Sequence, residues 1–174
     1  VDIVPKSGRS GNIFVLTLRN TIEQAGKVLA VDEFDAIYRE ATPPGQKTTA
    51  TVPATAPTDQ AWEDQVLLSE TLVFRYSAIT WNAHRIHYDA DYARSGEGYQ
   101  HTVHNGGLTM HLMVDAALKR APSALRGLVA RLTYPLWVGE PLLVRGAEAK
   151  DRRMRVWAAD RHGHLCGEMD LEFA

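Results

Sequence analysis

The 174-residue sequence has a single cysteine, Cys166, very little net charge and no long apolar run. One cysteine cannot form an internal disulfide, so nothing points to an oxidising compartment. A net charge of -2 gives no general attraction to nucleic acid or to anionic membranes. No apolar stretch approaches the roughly 20 residues of a transmembrane helix. These scarcities favour a cytoplasmic protein that binds neither nucleic acid nor membrane.

The composition is that of a globular protein, 45% hydrophobic and 23% charged, which predicts a full core. This composition changes at residues 42–62, where Pro, Thr and Ala dominate and few side chains can pack. We interpret 42–62 as a linker, extended or poorly ordered, between residues 1–41 and residues 63–174. The chain opens on Val1 rather than Met, which leaves a fragment, a processed chain and the ordered part of a longer chain as alternatives.

Residues 1–41 carry strand patterns and no helical pattern. Two β-rich stretches, 13–20 and 27–38, flank a loop in which Gly26 marks a hairpin turn, and residues 1–4 add a third strand. So few strands cannot bury both faces of a sheet. We therefore expect them to join the sheet of the second part edge to edge, and a homodimer to cover the remaining surface.

Residues 63–174 contain one strong helical pattern, at 108–121, which Pro122 ends and which Asn105 can cap. Strand patterns precede and follow it, at 67–80, 125–137, 141–151, 153–163 and 164–173. One long helix followed by an antiparallel meander predicts an α+β fold in which a curved sheet wraps around a buried central helix.

Residues 76–89, YSAITWNAHRIHYD, resemble the signature of the MaoC-like hydratases and dehydratases. The positions that match it at the right spacing are Tyr76, Ile79, Thr80, Ile86 and His87. The sequence departs from it at four positions, where Trp81 stands for Gly, Asn82 for the catalytic Asp, His84 for Asn and Arg85 for Pro. These departures resemble a branch that includes mesaconyl-CoA and itaconyl-CoA hydratases and mitochondrial-type hydroxyacyl-thioester dehydratases.

Members of that branch carry two hot-dog units in each chain, with the motif in the second. The resemblance therefore implies an α+β hot-dog fold, with a partial N-terminal unit and a complete C-terminal unit. It also implies hydration of an enoyl thioester or the reverse dehydration. The substrate would be an acyl-CoA, with an acyl-carrier-protein thioester as the alternative.

The chemistry can also be argued from the residues. Hydration needs a base for water, an acid for the α-carbon and donors for the enolate oxygen. His87 is the nearby side chain whose ordinary pKa suits base work near neutrality, and Asn82 can orient the water through its amide. Backbone N–H groups near Gly106 and Gly107, at the helix start, suit the enolate oxygen, and the glycines would let the thioester come near.

Several of these residues have structural alternatives. His87 can be a structural histidine, Asn82 a loop residue that bonds its own backbone, and the glycine pair a plain helix start. Arg85 can bind a substrate carboxylate or phosphate, or pair with Asp89 or Asp91. Tyr76 and Trp81 are expected to line a pocket or the core, and His84 to lie against the substrate.

Two HxxH pairs, His84 with His87 and His101 with His104, raise the question of zinc. No cysteine or acidic residue follows at a familiar zinc spacing, so we expect neither a metal nor another cofactor. Two rival functions remain open on this evidence. A thioesterase would use Glu97 as its carboxylate, and a non-catalytic acyl-binding subunit would explain the absent Asp.

Overall fold

The computed structural model describes residues 1–8, 11–40 and 52–174. It divides into an N-terminal unit, Val1–Pro43, and a C-terminal unit, Pro44–Ala174. Residues 42–51 of the predicted linker lie outside the described residues.

The N-terminal unit is an antiparallel sheet of three strands in the order β1-β2-β3. They span Asp2–Gly8, Gly11–Gln24 and Lys27–Arg39. Ala25 and Gly26 make the turn between β2 and β3 with φ angles of 49° and 75°, which is why glycine suits this hairpin. The predicted hairpin and third strand are confirmed. That these strands extend the C-terminal sheet edge to edge stays a prediction.

One face of this N-terminal sheet is apolar. Cross-strand partners on it include Phe14 with Tyr38 and Leu18 with Phe34, whereas the other face carries polar pairs such as Arg19 with Glu33. The aromatic side chains of the apolar face are about half exposed. An exposed apolar sheet face of this size needs another surface to cover it.

The C-terminal unit is an antiparallel sheet of five strands in the order β4-β6-β7-β8-β5. The strands span Trp62–Leu67 (β4), Leu125–Leu132 (β5), Pro141–Gly146 (β6), Arg153–Ala159 (β7) and Leu165–Phe173 (β8). Three helices, α1 (Glu70–Ile79), α2 (Ala90–Ser95) and α3 (Gly106–Leu118), accompany this sheet.

Helix α3 forms the centre of this unit and confirms the predicted buried helix. Met113, Ala116 and Ala117 on its inner face are buried, and the small alanines allow the helix to lie close to the sheet. They share one core with alternating inward residues of β6, β7 and β8, among them Val144, Val156 and Met169. Among the described residues, no helix has the length and apolarity required to cross a bilayer.

The strand predicted at 67–80 is wrong. Strand β4 ends at Leu67, and residues 70–79 form helix α1. Ser69 caps this helix, since its Oγ accepts a hydrogen bond from the backbone N–H of Leu72 at 3.2 Å. Val73 and Ser77 then lie on one buried face, four residues apart. The β-branched and aromatic residues of this stretch suggested a strand, but the cap and the helical spacing of the buried positions determine the outcome.

The described end of the predicted linker is extended and hydrogen-bonded to the C-terminal sheet. The carbonyl of Ala54 accepts from the N–H of Leu165, and the N–H of Ala56 donates to the carbonyl of Gly163, both at 2.8 Å. The indole N–H of Trp157 also donates to the carbonyl of Pro57. These bonds attach residues 54–57 to the β7–β8 hairpin.

Arg120, just beyond α3, ties the helix to the edge strand β4. Its guanidinium makes a two-pronged contact with the carboxylate of Asp64, at 2.6 and 3.0 Å, and lies 4.2 Å from the ring centre of Trp62. It also donates to the carbonyl of Ala116. By contrast, the neighbouring pair of Lys119 with Asp115 is exposed on both sides.

We therefore expect Arg120→Ala to lower the free energy of unfolding by about 1–2 kcal/mol, from the ion pair and the cation–π contact together. The matched control is Lys119→Ala, which removes a pair exposed on both sides and should leave the free energy of unfolding nearly unchanged. Urea unfolding followed by circular dichroism measures both. Equal losses in the two variants would contradict the role of Arg120.

Candidate active site

The motif loop leaves α1 through a backbone turn at Trp81, whose φ of 54° lies in the left-handed region. A non-glycine residue there is strained, which explains why the family signature has Gly at this position. The N–H of Asn82 then donates to the carbonyl of Ser77 at 2.9 Å and closes the turn. Trp81 is 94% exposed, so it is not a core residue, and its expected place on a pocket wall against the substrate stays a prediction.

His87 ends a short 3-10 turn, Arg85–His87, and is buried. Its Nδ1 lies 2.7 Å from the carbonyl oxygen of Val103, which can only accept, so Nδ1 carries the proton. Nε2 is then the unprotonated nitrogen, and it lies 3.3 Å from Nδ2 of Asn82, which donates to it. The structure thus brings the two predicted catalytic residues together and presents the basic nitrogen of His87 to its neighbour.

The surroundings of His87 keep it neutral. Burial lowers its pKa below the ordinary 6.5, and the nearby His84, whose ring centre is 5.8 Å away, lowers it further. The bond to the Val103 carbonyl opposes both effects but does not outweigh them. A base with a lowered pKa remains unprotonated below the pH at which an ordinary histidine gains its proton.

Asn82 is oriented by a second contact. Its Oδ1 accepts a hydrogen bond from the backbone N–H of His84 at 3.1 Å, which leaves the amide nitrogen to face His87. Bonding its own loop was the structural alternative for this residue. The structure shows this local bond and the His87 contact together, because each uses a different end of the amide.

The N-terminus of α3 lies against α1. Asn105 occupies the cap position, yet its side chain makes no capping bond, so the predicted side-chain cap is wrong. The buried amide of Asn105 instead donates to Oγ of Ser77 at 3.1 Å. No side chain at the cap position therefore satisfies the N–H groups of the first turn of α3.

Gly106 and Gly107 open this helix, and both have a close neighbour on their Cβ side. A Cβ at Gly106 would overlap the side chain of Leu132, and one at Gly107 would lie 2.7 Å from the hydroxyl of Tyr76. The absence of a side chain at these glycines therefore makes room for Leu132 and Tyr76. The sequence had instead suggested that the glycines make room for a thioester. Their N–H groups point along the helix axis, towards its N-terminal end.

Arg85 has the partner that its structural alternative predicted. Its guanidinium contacts the carboxylate of Asp89 at 2.6 Å and lies 4.3 Å from the ring centre of Tyr92. His84 is exposed, with Nε2 3.6 Å from the carboxylate of Glu97, which also accepts from the Tyr92 hydroxyl at 3.4 Å. Contact of Arg85 and His84 with substrate stays a prediction.

Comparison with known proteins now bears on this geometry. The profile of the family "Hydroxyacyl-thioester dehydratase type 2" matches residues 6–138. The chain belongs to this dehydratase family. It is also 35% identical over 152 residues to a mesaconyl-C(4)-CoA hydratase of Chloroflexus aurantiacus, a match that covers 87% of this chain and 53% of that protein.

A second relative is the mitochondrial hydroxyacyl-thioester dehydratase type 2 of Schizosaccharomyces pombe, 36% identical over 76 residues, covering 42% of this chain and 25% of the yeast protein. The chain thus spans about half the length of one curated relative and a quarter of the other. A MaoC-like dehydratase from Phytophthora capsici superposes with a TM-score of 0.74 at 16% identity, over 99% of this chain and 60% of that one. The MaoC-like resemblance and the hot-dog fold are confirmed.

His104 is the buried group of this dehydratase-family site that the motif did not reveal. Its Nδ1 lies 2.9 Å from the hydroxyl of Thr109, while its Nε2, among the described residues, is buried without a hydrogen-bond partner. Burial, and secondarily the charge of His87, lowers its pKa to about 4. Only the HxxH spacing drew attention to it, as a metal ligand, and the described residues contain no group of three or more metal-ligating side chains.

The lowered pKa of His104 predicts acid sensitivity. In the unfolded chain this histidine binds its proton near pH 6.5, and in the folded protein only near pH 4, so stability present above pH 6.5 is lost between these values. One proton corresponds to a slope of about 1.4 kcal/mol per pH unit. His104→Gln should flatten the pH dependence of the unfolding free energy by that amount in this window.

Urea unfolding at several pH values between 4 and 6.5 measures the slope. Met113→Ala serves as the control, because it destabilises the same helix through a cavity without removing a titrating group, and it should retain the wild-type slope. An unchanged slope in His104→Gln would contradict the lowered pKa.

Proposed function

We propose that the protein is a hydratase or dehydratase that adds water to, or removes it from, an enoyl or 3-hydroxyacyl thioester. The observation that carries this proposal is the His87–Asn82 pair, with the basic Nε2 presented to the amide nitrogen at 3.3 Å. The activity of the Chloroflexus relative, hydration of mesaconyl-C(4)-CoA, supports the same chemistry.

In the hydration direction, a water molecule binds beside the Asn82 amide and replaces it as the hydrogen-bond donor to Nε2 of His87. His87 removes one proton from this water as its oxygen bonds to the β-carbon, and the electron pair of the double bond moves towards the thioester carbonyl. His87, now protonated, returns its proton to the α-carbon, so the enzyme ends in its starting state. Dehydration runs through the same steps in reverse.

The negative charge that develops on the thioester oxygen needs donors. The first turn of α3 offers the N–H groups of Gly106 and Gly107, which have no side-chain cap, together with the positive end of the helix dipole. Only two residues separate the start of α3 from Val103, whose carbonyl accepts the hydrogen bond from His87. The carbonyl that positions the base and the N–H donors therefore lie on one short segment.

For the substrate we propose an acyl-CoA, of mesaconyl or itaconyl type, on the strength of the Chloroflexus relative. An acyl-carrier-protein thioester is the alternative. Trp81, exposed beside Asn82, and Tyr76, against Gly107, are the apolar surfaces that we propose for contact with the substrate. We place the protein in the cytoplasm, as its lone, buried Cys166 allows.

Thioester hydrolysis and acyl binding without catalysis are the rival functions. Glu97, the carboxylate that a thioesterase would require, faces His84 and Tyr92. Incubation with crotonyl-CoA and with mesaconyl- or itaconyl-type CoA esters distinguishes the three. Loss of enoyl absorbance alone indicates a hydratase, and release of free thiol indicates a thioesterase. If neither change occurs, the result favours an acyl-binding subunit.

The proposed roles of His87 and Asn82 predict a different change in turnover for each of three variants. His87→Ala should lower turnover about 100-fold to 10,000-fold, as positioned acid–base groups do. Asn82→Ala should lower kcat with less effect on KM, because the amide acts on the water in the transition state. Asn82→Asp restores the family residue and should keep or raise turnover at neutral pH, with the acid limb moved to higher pH by the added negative charge.

Steady-state hydration of the enoyl thioesters, followed over a range of pH, measures all three variants. His162→Ala, in the exposed β7–β8 turn, is the matched histidine control and should leave turnover unchanged. Near wild-type turnover of His87→Ala on every ester tested would refute this mechanism.

We further propose that residues 1–41 are the last strands of a first hot-dog unit and that the protein forms a homodimer. The half-exposed apolar face of the N-terminal sheet supports the first idea. Strand β5 supports the second, because it is an edge strand whose Val129 is 76% exposed between the partly exposed Leu128 and Leu132.

The dimer proposal predicts a dimeric mass in sedimentation equilibrium. Val129→Glu, which introduces a charge on the β5 edge, should shift the protein towards monomer. Thr71→Glu, exposed on α1, is the control and should leave the mass unchanged. A monomeric wild-type protein would reject the proposal.

A further inference from the structure

Tyr76 and His111 form a polar pair that the mechanism above leaves unused. The hydroxyl of Tyr76, on α1, lies 3.0 Å from Nδ1 of His111, on α3. The two rings are tilted by 59°, with their centres 5.8 Å apart. His111 lies outside the motif, one helical turn after Gly107, and the two residues therefore share a face of α3.

The Tyr76 hydroxyl lies against the first turn of α3. A Cβ added at Gly107 would come within 2.7 Å of this oxygen, so the hydroxyl lies close to the Gly107 backbone, whose N–H is proposed to receive the thioester oxygen. Burial raises the pKa of Tyr76, so the hydroxyl keeps its proton and can donate it in a hydrogen bond. A protonated hydroxyl beside the first turn of α3 adds a side-chain donor near the backbone N–H groups of that turn.

We propose that the Tyr76 hydroxyl is a further catalytic residue, a hydrogen-bond donor to the thioester oxygen, and that His111 is the positioning residue that directs it. This inference rests on the proposed hydratase function and extends it by two residues. No proton is transferred in this step, because Tyr76 acts through a hydrogen bond to the developing charge and His111 acts through its hydrogen bond to Tyr76.

The direction of the Tyr76–His111 bond decides whether the hydroxyl is available. A tyrosine has one O–H, so if it donates to His111 nothing remains for the substrate. When Nδ1 of His111 carries the proton, it donates to the Tyr76 oxygen and leaves the O–H for the thioester. A chain of donors of this kind strengthens as charge accumulates at its end.

The kinetic test compares four variants of the protein. Tyr76→Phe should lower kcat about 10-fold to 100-fold with little change in KM, the loss expected for one donor to an oxyanion. His111→Leu should lower kcat by less, roughly threefold to tenfold. His111→Asn, which keeps an amide N–H near the position of Nδ1, should recover most of that loss. The Tyr76→Phe, His111→Leu double variant should be no slower than Tyr76→Phe alone, because His111 acts through Tyr76.

The chain offers a matched control. Tyr134 and His164 form a second tilted tyrosine–histidine pair, with ring centres 5.5 Å apart and the same 59° angle, beside the β7–β8 hairpin. Tyr134→Phe should leave kcat and KM unchanged. Thermal unfolding of all variants separates a loss of structure from a loss of donation.

A binding measurement tests the donor without turnover. The carbonyl of butyryl-CoA, labelled with 13C, should shift downfield when bound to the wild-type protein, and shift less when bound to Tyr76→Phe. Unchanged kcat and an unchanged carbonyl shift in Tyr76→Phe would overturn this inference while leaving the proposed function intact. A wild-type protein that neither hydrates an enoyl thioester nor binds butyryl-CoA would overturn both.

Discussion

The hydrogen bond from Nδ1 of His87 to the carbonyl of Val103 is the interaction on which the site depends. It fixes the tautomer, and so decides which ring nitrogen is basic. It also joins the motif loop to the segment that enters α3. That segment is itself held on both sides, because the N–H of Val103 donates to Ile86 and the N–H of His104 donates to Leu136. The proposed base is therefore held by a set of backbone hydrogen bonds rather than carried on a free loop.

Burying polar side chains in this region costs free energy of folding, which packing in the core of the C-terminal unit must offset. Ser77, Asn105 and His104 are all buried where α1 meets the start of α3. Ser77 and Asn105 satisfy one another, whereas Nε2 of His104 has no partner among the described residues. Such groups persist only where surrounding packing holds them. Helix α3 provides that support, since its inner face is anchored in the sheet.

Structural features that depend on local sequence pattern could be predicted from the sequence. Features that depend on contacts between residues far apart in the chain could not. The N-terminal hairpin, the central helix and the approach of Asn82 to His87, five residues apart, all follow from spacing within a short stretch. The motif could not show that Ser77 takes the side chain of Asn105 away from its capping role, since these residues are 28 positions apart. The motif includes Tyr76 but could not show its pairing with His111, which only the packing of α1 on α3 produces. Helix α1 was misread because its strand-forming side chains are compatible with a helix once Ser69 caps it.

The departure of Asn82 from the family's aspartate is intelligible in terms of this burial. A carboxylate beside Nε2 would favour the protonated imidazole, whereas the amide N–H donates to the neutral ring. Burial already disfavours a charged His87, and His84 adds to that effect. An amide therefore avoids a second buried charge and keeps the base in its reactive, unprotonated form. A neutral amide does not attract the protons of the water as a carboxylate would. In the proposed mechanism, donors at the thioester oxygen therefore stabilise most of the transition-state charge. For this reason the first turn of α3, with Tyr76 beside it, carries more of the proposed chemistry here than the motif alone implies.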